Sequence, residues 1–154
     1  MKVAQLMSPG VQLCGPTDTL NRAAQIMWES DCGCVPIVDA DGKAIGMLTD
    51  RDICMAAYTQ GLPLAQIAVA SAASRGVVAV GEQDSLDRAE HLMQKHQIRR
   101  LPVLDGEGRP VGILSMNDLA RRARAGQREP ELSATAIART LAAVGESARQ
   151  ATAE

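Results

Sequence analysis

The chain has 154 residues, enough for one domain or for two small ones sharing a core. Hydrophobic residues make up 46% and charged residues 22%. The aromatic share is only 1%, with Trp28, Tyr58 and no Phe, so Ala, Val, Ile, Leu and Met must fill the core. A net charge of −2 argues against a nucleic-acid or membrane-surface protein, no apolar run can span a bilayer, and the opening MKVAQLMSPG lacks a signal-peptide core; a cytoplasmic protein is expected.

In chain order, KVAQLMSPG reads as a lead-in helix and GVQLC as a short apolar strand. In PTDTLNRAAQIMWES, Leu20, Ala23, Ala24 and Met27 recur at helical spacing, with Asp18 as the expected N-cap. CVPIVD is a strand, ADGK a turn whose glycine suits positive φ, and AIGML the returning strand; TDRDICMAAY then opens a helix. PLAQIAVASAASRG shares an A-Q-apolar core with the first lead-in and is expected to be its equivalent, with a few residues inserted. The series then repeats as strand GVVAV, helix EQDSLDRAEHLMQKH, strand RLPVLD, turn GEGR, strand PVGIL and helix SMNDLARRAR. Leu86, Ala89 and Met93 take the apolar face of that first helix and Asp84 its N-cap. The tail LSATAIARTLAAVG reads as one more helix, capped by Ser133 and ended by Gly145, with Leu132, Ile137, Leu141 and Val144 along one side. The last residues, ESARQATAE, are expected to fray.

The two series are copies of one unit. At a fixed offset of 66, without gaps, residues 11–53 match 77–119 at 13 of 43 positions. Among the identities are Gly15/Gly81, Asp18/Asp84, Leu20/Leu86, Pro36/Pro102, Gly46/Gly112, Leu48/Leu114 and Asp52/Asp118. An ungapped match of this length points to duplication. The blocks GMLTDRD and GILSMND each place a hydroxyl residue three positions before an aspartate. T-x-x-D and S-x-x-D suit an acidic capping box, with Thr49 or Ser115 as N-cap and Asp52 or Asp118 at the third helical position. The same geometry suits a ligand. A helix N-terminus offers unpaired N–H groups to a phosphate, the hydroxyl adds a donor, and a carboxylate on the first turn can accept from two ribose hydroxyls. Either use accounts for both copies.

With its repeat, its VPIVD…G…IGMLTDRD and LPVLD…G…VGILSMND blocks and its TLNRAAQIM and SLDRAEHLM helices, the chain resembles a tandem pair of CBS domains over roughly residues 1–125. It is similar in form to small stand-alone bacterial CBS-pair proteins. The resemblance implies an α+β fold of two β-α-β-β-α repeats packed about a pseudo-twofold axis, with a C-terminal helix added. Residues 1–60 and 61–125 would each form a repeat with its lead-in helix, and 126–154 the helical tail. It also implies a regulatory role without catalysis. Adenine nucleotides (AMP, ADP or ATP, in some members NAD or S-adenosylmethionine) would bind in clefts between the repeats as regulatory ligands, with no cofactor required. A homodimer and a protein effector would follow.

By the same resemblance Asp52 and Asp118 would hold ribose and Thr49 and Ser115 phosphate. Val11, Val77, Val35 and Leu101 would wall the adenine, and carbonyls freed near Pro36 and Pro102 would read its edge. Arg51 and Arg100 are candidates for the phosphates. The counterpart of Arg51 in the other copy is Asn117, and Arg99 and Arg100 replace Gly33 and Cys34.

Other readings remain open. The clefts can be empty, leaving an interaction module in which T-x-x-D only caps helices. The four cysteines, all in the first copy, can form a metal or redox sensor. However, Cys14, Cys32 and Cys54 match apolar Val80, Ile98 and Ala120, which favours small core residues, and only Cys34 matches a polar one. No metal site is therefore assigned. His91 and His96 read as surface helix residues. The LARRARAGQR cluster suits a helix C-terminus and is a minor case for nucleic-acid contact. No GxGxxG, P-loop, HExxH or nucleophile–base spacing marks an enzyme.

Overall fold

The computed structural model describes residues 1–124 and 133–145. Its class is α+β. The described elements are β1 (Ser8–Pro9), α1 (Leu20–Glu29), β2 (Cys34–Val38), β3 (Ala44–Thr49), α2 (Asp50–Gln60), β4 (Val80–Gly81), α3 (Leu86–His96), β5 (Arg100–Leu104), β6 (Pro110–Ser115), α4 (Met116–Arg124) and α5 (Ala134–Gly145). Contacts divide the chain into two units with interleaved sequence. One gathers 10–77 and 105–111; the other takes 1–9, 78–104 and, of the described residues that follow, 112–124 and 133–145.

In the first unit β2 and β3 form an antiparallel pair running from Cys34↔Thr49 to Val38↔Ala44. Their turn is tied by Asp39, whose carboxylate accepts the Asp41 and Lys43 N–H groups at 2.9 Å each, and Gly42 supplies φ +77°. The strand expected at 10–14 shrinks to one parallel bridge, Cys14↔Ile37. Cys14 N–H donates to Pro36 O (3.1 Å) and Val38 N–H donates to Cys14 O (2.9 Å). The ladder stops there because Pro36 has no N–H for the next carbonyl back. The counterpart in the second unit, β4, is only two residues long and runs parallel to β5, which carries Pro102 at the matching place. That unit's sheet has the order β1-β6-β5-β4.

Of the expected faces, Leu20, Ala23 and Met27 are buried on α1, together with Ile26, while Ala24 is half-buried; Leu86, Ala89 and Met93 are buried on α3. The caps fall one residue later than expected. Thr19 Oγ1 accepts the Arg22 N–H (3.3 Å) and Ser85 Oγ the Arg88 N–H (3.2 Å). Asp18 and Asp84 instead close the preceding turns, accepting the Gly15 and Gly81 N–H groups at 2.8 and 2.9 Å.

The lead-ins are not α-helices but short 3-10 turns, Val3–Gln5, Leu64–Gln66 and Val69–Ser71. Runs this short cannot offset the cost of an α-helical nucleus. Nor is the A-Q match the true equivalence. Val3 N–H donates to Asp84 O (2.9 Å) and Ala4 N–H to Glu82 O (3.0 Å); Val69 N–H donates to Asp18 O (2.8 Å) and Ala70 N–H to Pro16 O (3.0 Å). Val3 therefore corresponds to Val69, at the same offset of 66. The opening segment completes the second repeat, and the segment after α2 completes the first.

Leu20, Val35, Ile37, Leu48, Ile67 and Val69 centre one core. In the second unit Val3, Leu86, Met93, Leu101, Leu114 and Leu119 are fully buried. There α5 packs on α3 and α4. Ser133 caps it, Oγ accepting the Ala136 N–H at 3.1 Å. Its inward residues are Thr140 and Val144, with Ile137 half-buried; Leu141, expected on that side, is exposed. Thr140 takes the place inside because it has partners there. Its hydroxyl accepts from Gln94 Nε2 (2.7 Å) and lies 3.1 Å from Glu90 Oε2. Leu132 and the 146–154 segment fall outside the described residues.

Candidate functional site: two capped helix N-termini

The repeated block is built the same way in both units. Its glycine marks where the lead-in backbone crosses the returning strand. A Cβ on Gly46 would stand 2.5 Å from Ser74 O, and one on Gly112 would stand 2.8 Å from Ser8 O. Ser74 secures its crossing by donating its N–H to Met47 O (2.9 Å) and accepting the Met47 N–H on Oγ (3.0 Å). Two residues later Leu48 and Leu114 enter the cores.

Thr49 and Ser115 then cap α2 and α4. Thr49 Oγ1 accepts the Asp52 N–H (3.2 Å), while Asp52 Oδ2 accepts the Thr49 N–H (2.8 Å) and hydroxyl (2.7 Å). Ser115 and Asp118 repeat this at 3.3, 2.8 and 2.6 Å. The capping box foreseen in the sequence is thus closed in both copies. It leaves the two carboxylates in different states. Asp52 is half-buried, and among the described residues nothing donates to its Oδ1. Asp118 is 5% exposed, and its Oδ1 accepts from Arg121 Nη2. The first-turn N–H groups of α2 are all engaged, Asp50 N–H by Gly33 O (3.2 Å), Arg51 N–H by Asp50 Oδ1 and Asp52 N–H by Thr49 Oγ1, so what the site offers is a half-buried carboxylate with one unused oxygen that can accept hydroxyl donors, at a helix end whose dipole favours a neighbouring anion.

The other candidates divide by burial. Arg51 is exposed beside Asp52, its N–H donating to Asp50 Oδ1 (2.8 Å). Arg100 is half-buried at the start of β5. Val11 and Val77 are half-buried and lie outside the strands expected for them. Val35 and Leu101 are fully buried core residues, and Pro36 and Pro102 are buried inside β2 and β5. The Pro36 carbonyl is not freed, since it accepts the Cys14 N–H.

The cysteines meet the expectation at Cys14 and, in part, at Cys32, which packs against the core, and depart from it at Cys34 and Cys54. Cys14 and Cys34 are buried, Cys32 is half-buried, and Cys54 is exposed on α2. Burial, with the Asp18 carboxylate nearby, pushes the Cys14 thiol pKa up. Among the described residues no three His, Cys, Asp or Glu side chains come together as a metal site. His91 and His96 are exposed on α3. No described helix is long and apolar enough to cross a membrane. The residue that sequence reasoning missed is Arg121. Its signal was the i, i+3 spacing from Asp118, hidden inside a run read only as helix-terminal charge.

Two copies of one α+β repeat, each ending in a helix capped by its own hydroxyl–aspartate pair, define a duplicated module with paired candidate ligand sites. The CBS domain model matches residues 3–58 and 69–125, and the chain belongs to the CBS-domain family. It is 38% identical over 116 residues to Hypoxic response protein 1 of Mycobacterium tuberculosis, covering 75% of this chain and 80% of that protein. It is likewise 38% identical over 118 residues to the CBS domain-containing protein YhcV of Bacillus subtilis, covering 77% and 82%. Among solved structures, Hypoxic Response Protein I with two coordinated zinc ions superposes with TM-score 0.71 at 36% identity, covering 79% of this chain and 98% of that one. The CBS domain pair of protein MJ0100, in complex with 5'-methylthioadenosine and S-adenosyl-L-methionine, superposes with TM-score 0.75 at 25% identity, covering 82% and 98%.

Proposed function

We propose that this chain is a cytoplasmic, non-catalytic regulatory module that binds adenosine-containing ligands, AMP, ADP or ATP first among them, at the two capped helix N-termini. The carrying observation is Asp52. Its Oδ2 holds the cap while Oδ1 stays available beside the first turn of α2, the arrangement a ribose diol and a neighbouring phosphate need. That the MJ0100 pair binds two adenosine compounds supports the reading.

Output passes through the oligomer or a protein partner. Trp28 and Tyr58, the only Phe, Trp or Tyr residues in the chain, are 88% and 81% exposed on α1 and α2, and Met55 of α2 is exposed as well. This supports a homodimer, to be checked by light scattering at micromolar concentration.

Thermal melts and calorimetry with AMP, ADP, ATP and S-adenosylmethionine test the ligand. A ligand that binds only the folded state must raise the melting temperature. Hydrogen bonds to a charged acceptor are worth about 1.5–3 kcal/mol, so Asp52→Ala should weaken binding by about one to two orders of magnitude. The competing reading, an empty interaction module, is favoured by the completeness of the cap, which satisfies Thr49 and Asp52 without any ligand. It predicts that Asp52→Ala costs only stability, about 0.5–2 kcal/mol for a lost cap, with no nucleotide effect at millimolar concentration.

A further inference from the structure

The two blocks differ at one position that changes their chemistry. In the second, both oxygens of Asp118 are engaged: Oδ2 by the Ser115 N–H and hydroxyl, Oδ1 by Arg121. In the first, Oδ1 of Asp52 has no donor among the described residues. The position matching Arg121 is Met55, 46% exposed, which has no hydrogen to donate. Arg51, the cation of the first block, makes no bond to Asp52.

We infer that Arg121 is a specificity-determining latch, which makes the second block admit adenosine ligands that carry a phosphate and reject uncharged ones. The inference rests on the reading that Asp52 and Asp118 accept ribose hydroxyls. A diol reaching Asp118 Oδ1 must first displace the guanidinium. Asp118 is buried, but the Arg121 side chain is 73% exposed, so the arginine can swing out on its stem while the carboxylate stays in place. With a nucleotide, the displaced planar guanidinium finds a new bidentate acceptor in two phosphate oxygens, bound at the same helix N-terminus. A charged hydrogen bond broken is then matched by one formed. With a nucleoside the arginine gives up its carboxylate and gains only water. The first block has no such exchange, because Met55 leaves Asp52 open from the start.

The test uses AMP and adenosine as probes, with calorimetry on four proteins: wild type, Asp52→Ala, which weakens the first site so that the tighter event reports the second, the double variant Asp52→Ala/Arg121→Met, and Met55→Arg. In Asp52→Ala, AMP should bind while adenosine binds about tenfold or more weakly, the worth of one charge-assisted hydrogen bond. Adding Arg121→Met should close that gap from both sides, improving adenosine and weakening AMP. Met55→Arg, at an exposed position tolerant of substitution, should weaken adenosine at the first site and so reproduce the latch independently. If the AMP-to-adenosine ratio is the same in Asp52→Ala and the double variant, and Met55→Arg changes nothing, Arg121 is a helix ion pair only and the inference falls while nucleotide binding stands. If neither probe binds wild type, the nucleotide reading falls and takes the latch with it.

Discussion

The glycine of each block supports a prediction that needs no ligand. Replacing Gly46 with alanine puts a Cβ 2.5 Å from the Ser74 carbonyl oxygen, and that oxygen is backbone, so no side chain can swing away to make room. Overpacking of this kind costs about 1–3 kcal/mol. The substitution also removes unfolded-chain freedom, which returns about 0.4–1 kcal/mol. A 2.5 Å approach to backbone belongs in the upper half of that cost, about 2–3 kcal/mol, so the net loss should be about 1–2.6 kcal/mol, or about 2–10 °C in melting temperature for a chain of this size. Gly112→Ala should destabilise less, because its backbone neighbour stands at 2.8 Å and the other close atom is the flexible Met7 side chain. Gly106→Ala, with nothing within 4 Å, is the control and should be neutral or slightly stabilising. Thermal and urea denaturation of the three variants decides it. If Gly46→Ala melts with wild type, the close crossing of lead-in and strand is not what fixes glycine in the block.

Two further outcomes follow from groups outside the blocks. Thr140→Val keeps the shape of α5 but removes the hydroxyl that Gln94 donates to and that reaches Glu90; loss of about 1–3 kcal/mol is expected for buried polar groups stripped of a partner, read by urea denaturation. An unchanged midpoint would make α5 docking purely apolar. The Cys14 thiol has a raised pKa in the fold. Its stabilising contribution is therefore full below the ordinary thiol pKa of about 8.5 and is lost as pH rises through the folded value. Cys14→Ala should lose less stability than wild type between pH 8 and 10, and Cys54 should be alkylated long before Cys14 at neutral pH. Equal alkylation rates would contradict the burial argument.

The duplication was legible because it is carried by positions whose constraint is local and shared: the cap pair, the turn glycines, and the leucine directly before each cap. The offset of 66 even extends through the lead-ins, where Val3 matches Val69. It was obscured there because each lead-in completes the repeat it does not introduce, so the chemistry holding it lies about 80 residues or 50 residues away in sequence. The short A-Q word offered a local match that the hydrogen bonds overrule. Comparing copies also misled for the cysteines. Ala120, the counterpart of Cys54, is itself exposed, and alanine is at home on either side of a helix. Cys34 is buried although its counterpart is Arg100, because an arginine at a strand end can line the core with its stem and keep its head in water.

What separates the copies is as informative as what unites them. The scaffold positions stayed alike, and the divergence sits where side chains meet solvent or a neighbouring helix. Met55 corresponds to Arg121 in the repeat, Trp28 to Gln94, and Ala24 to Glu90. The last two pairs bear on a single element. Glu90 and Gln94 are the residues that receive Thr140 of α5, whereas Ala24 and Trp28 can offer no such carboxylate or amide. A helix with a threonine at its centre is thereby matched to α3 and not to α1, which leaves the large apolar surface of Trp28 on α1 for some other contact. The duplication thus supplied two equal frames. A few substitutions on their outer faces gave one frame an open carboxylate and an exposed aromatic side chain, and the other a closed carboxylate and a resident helix.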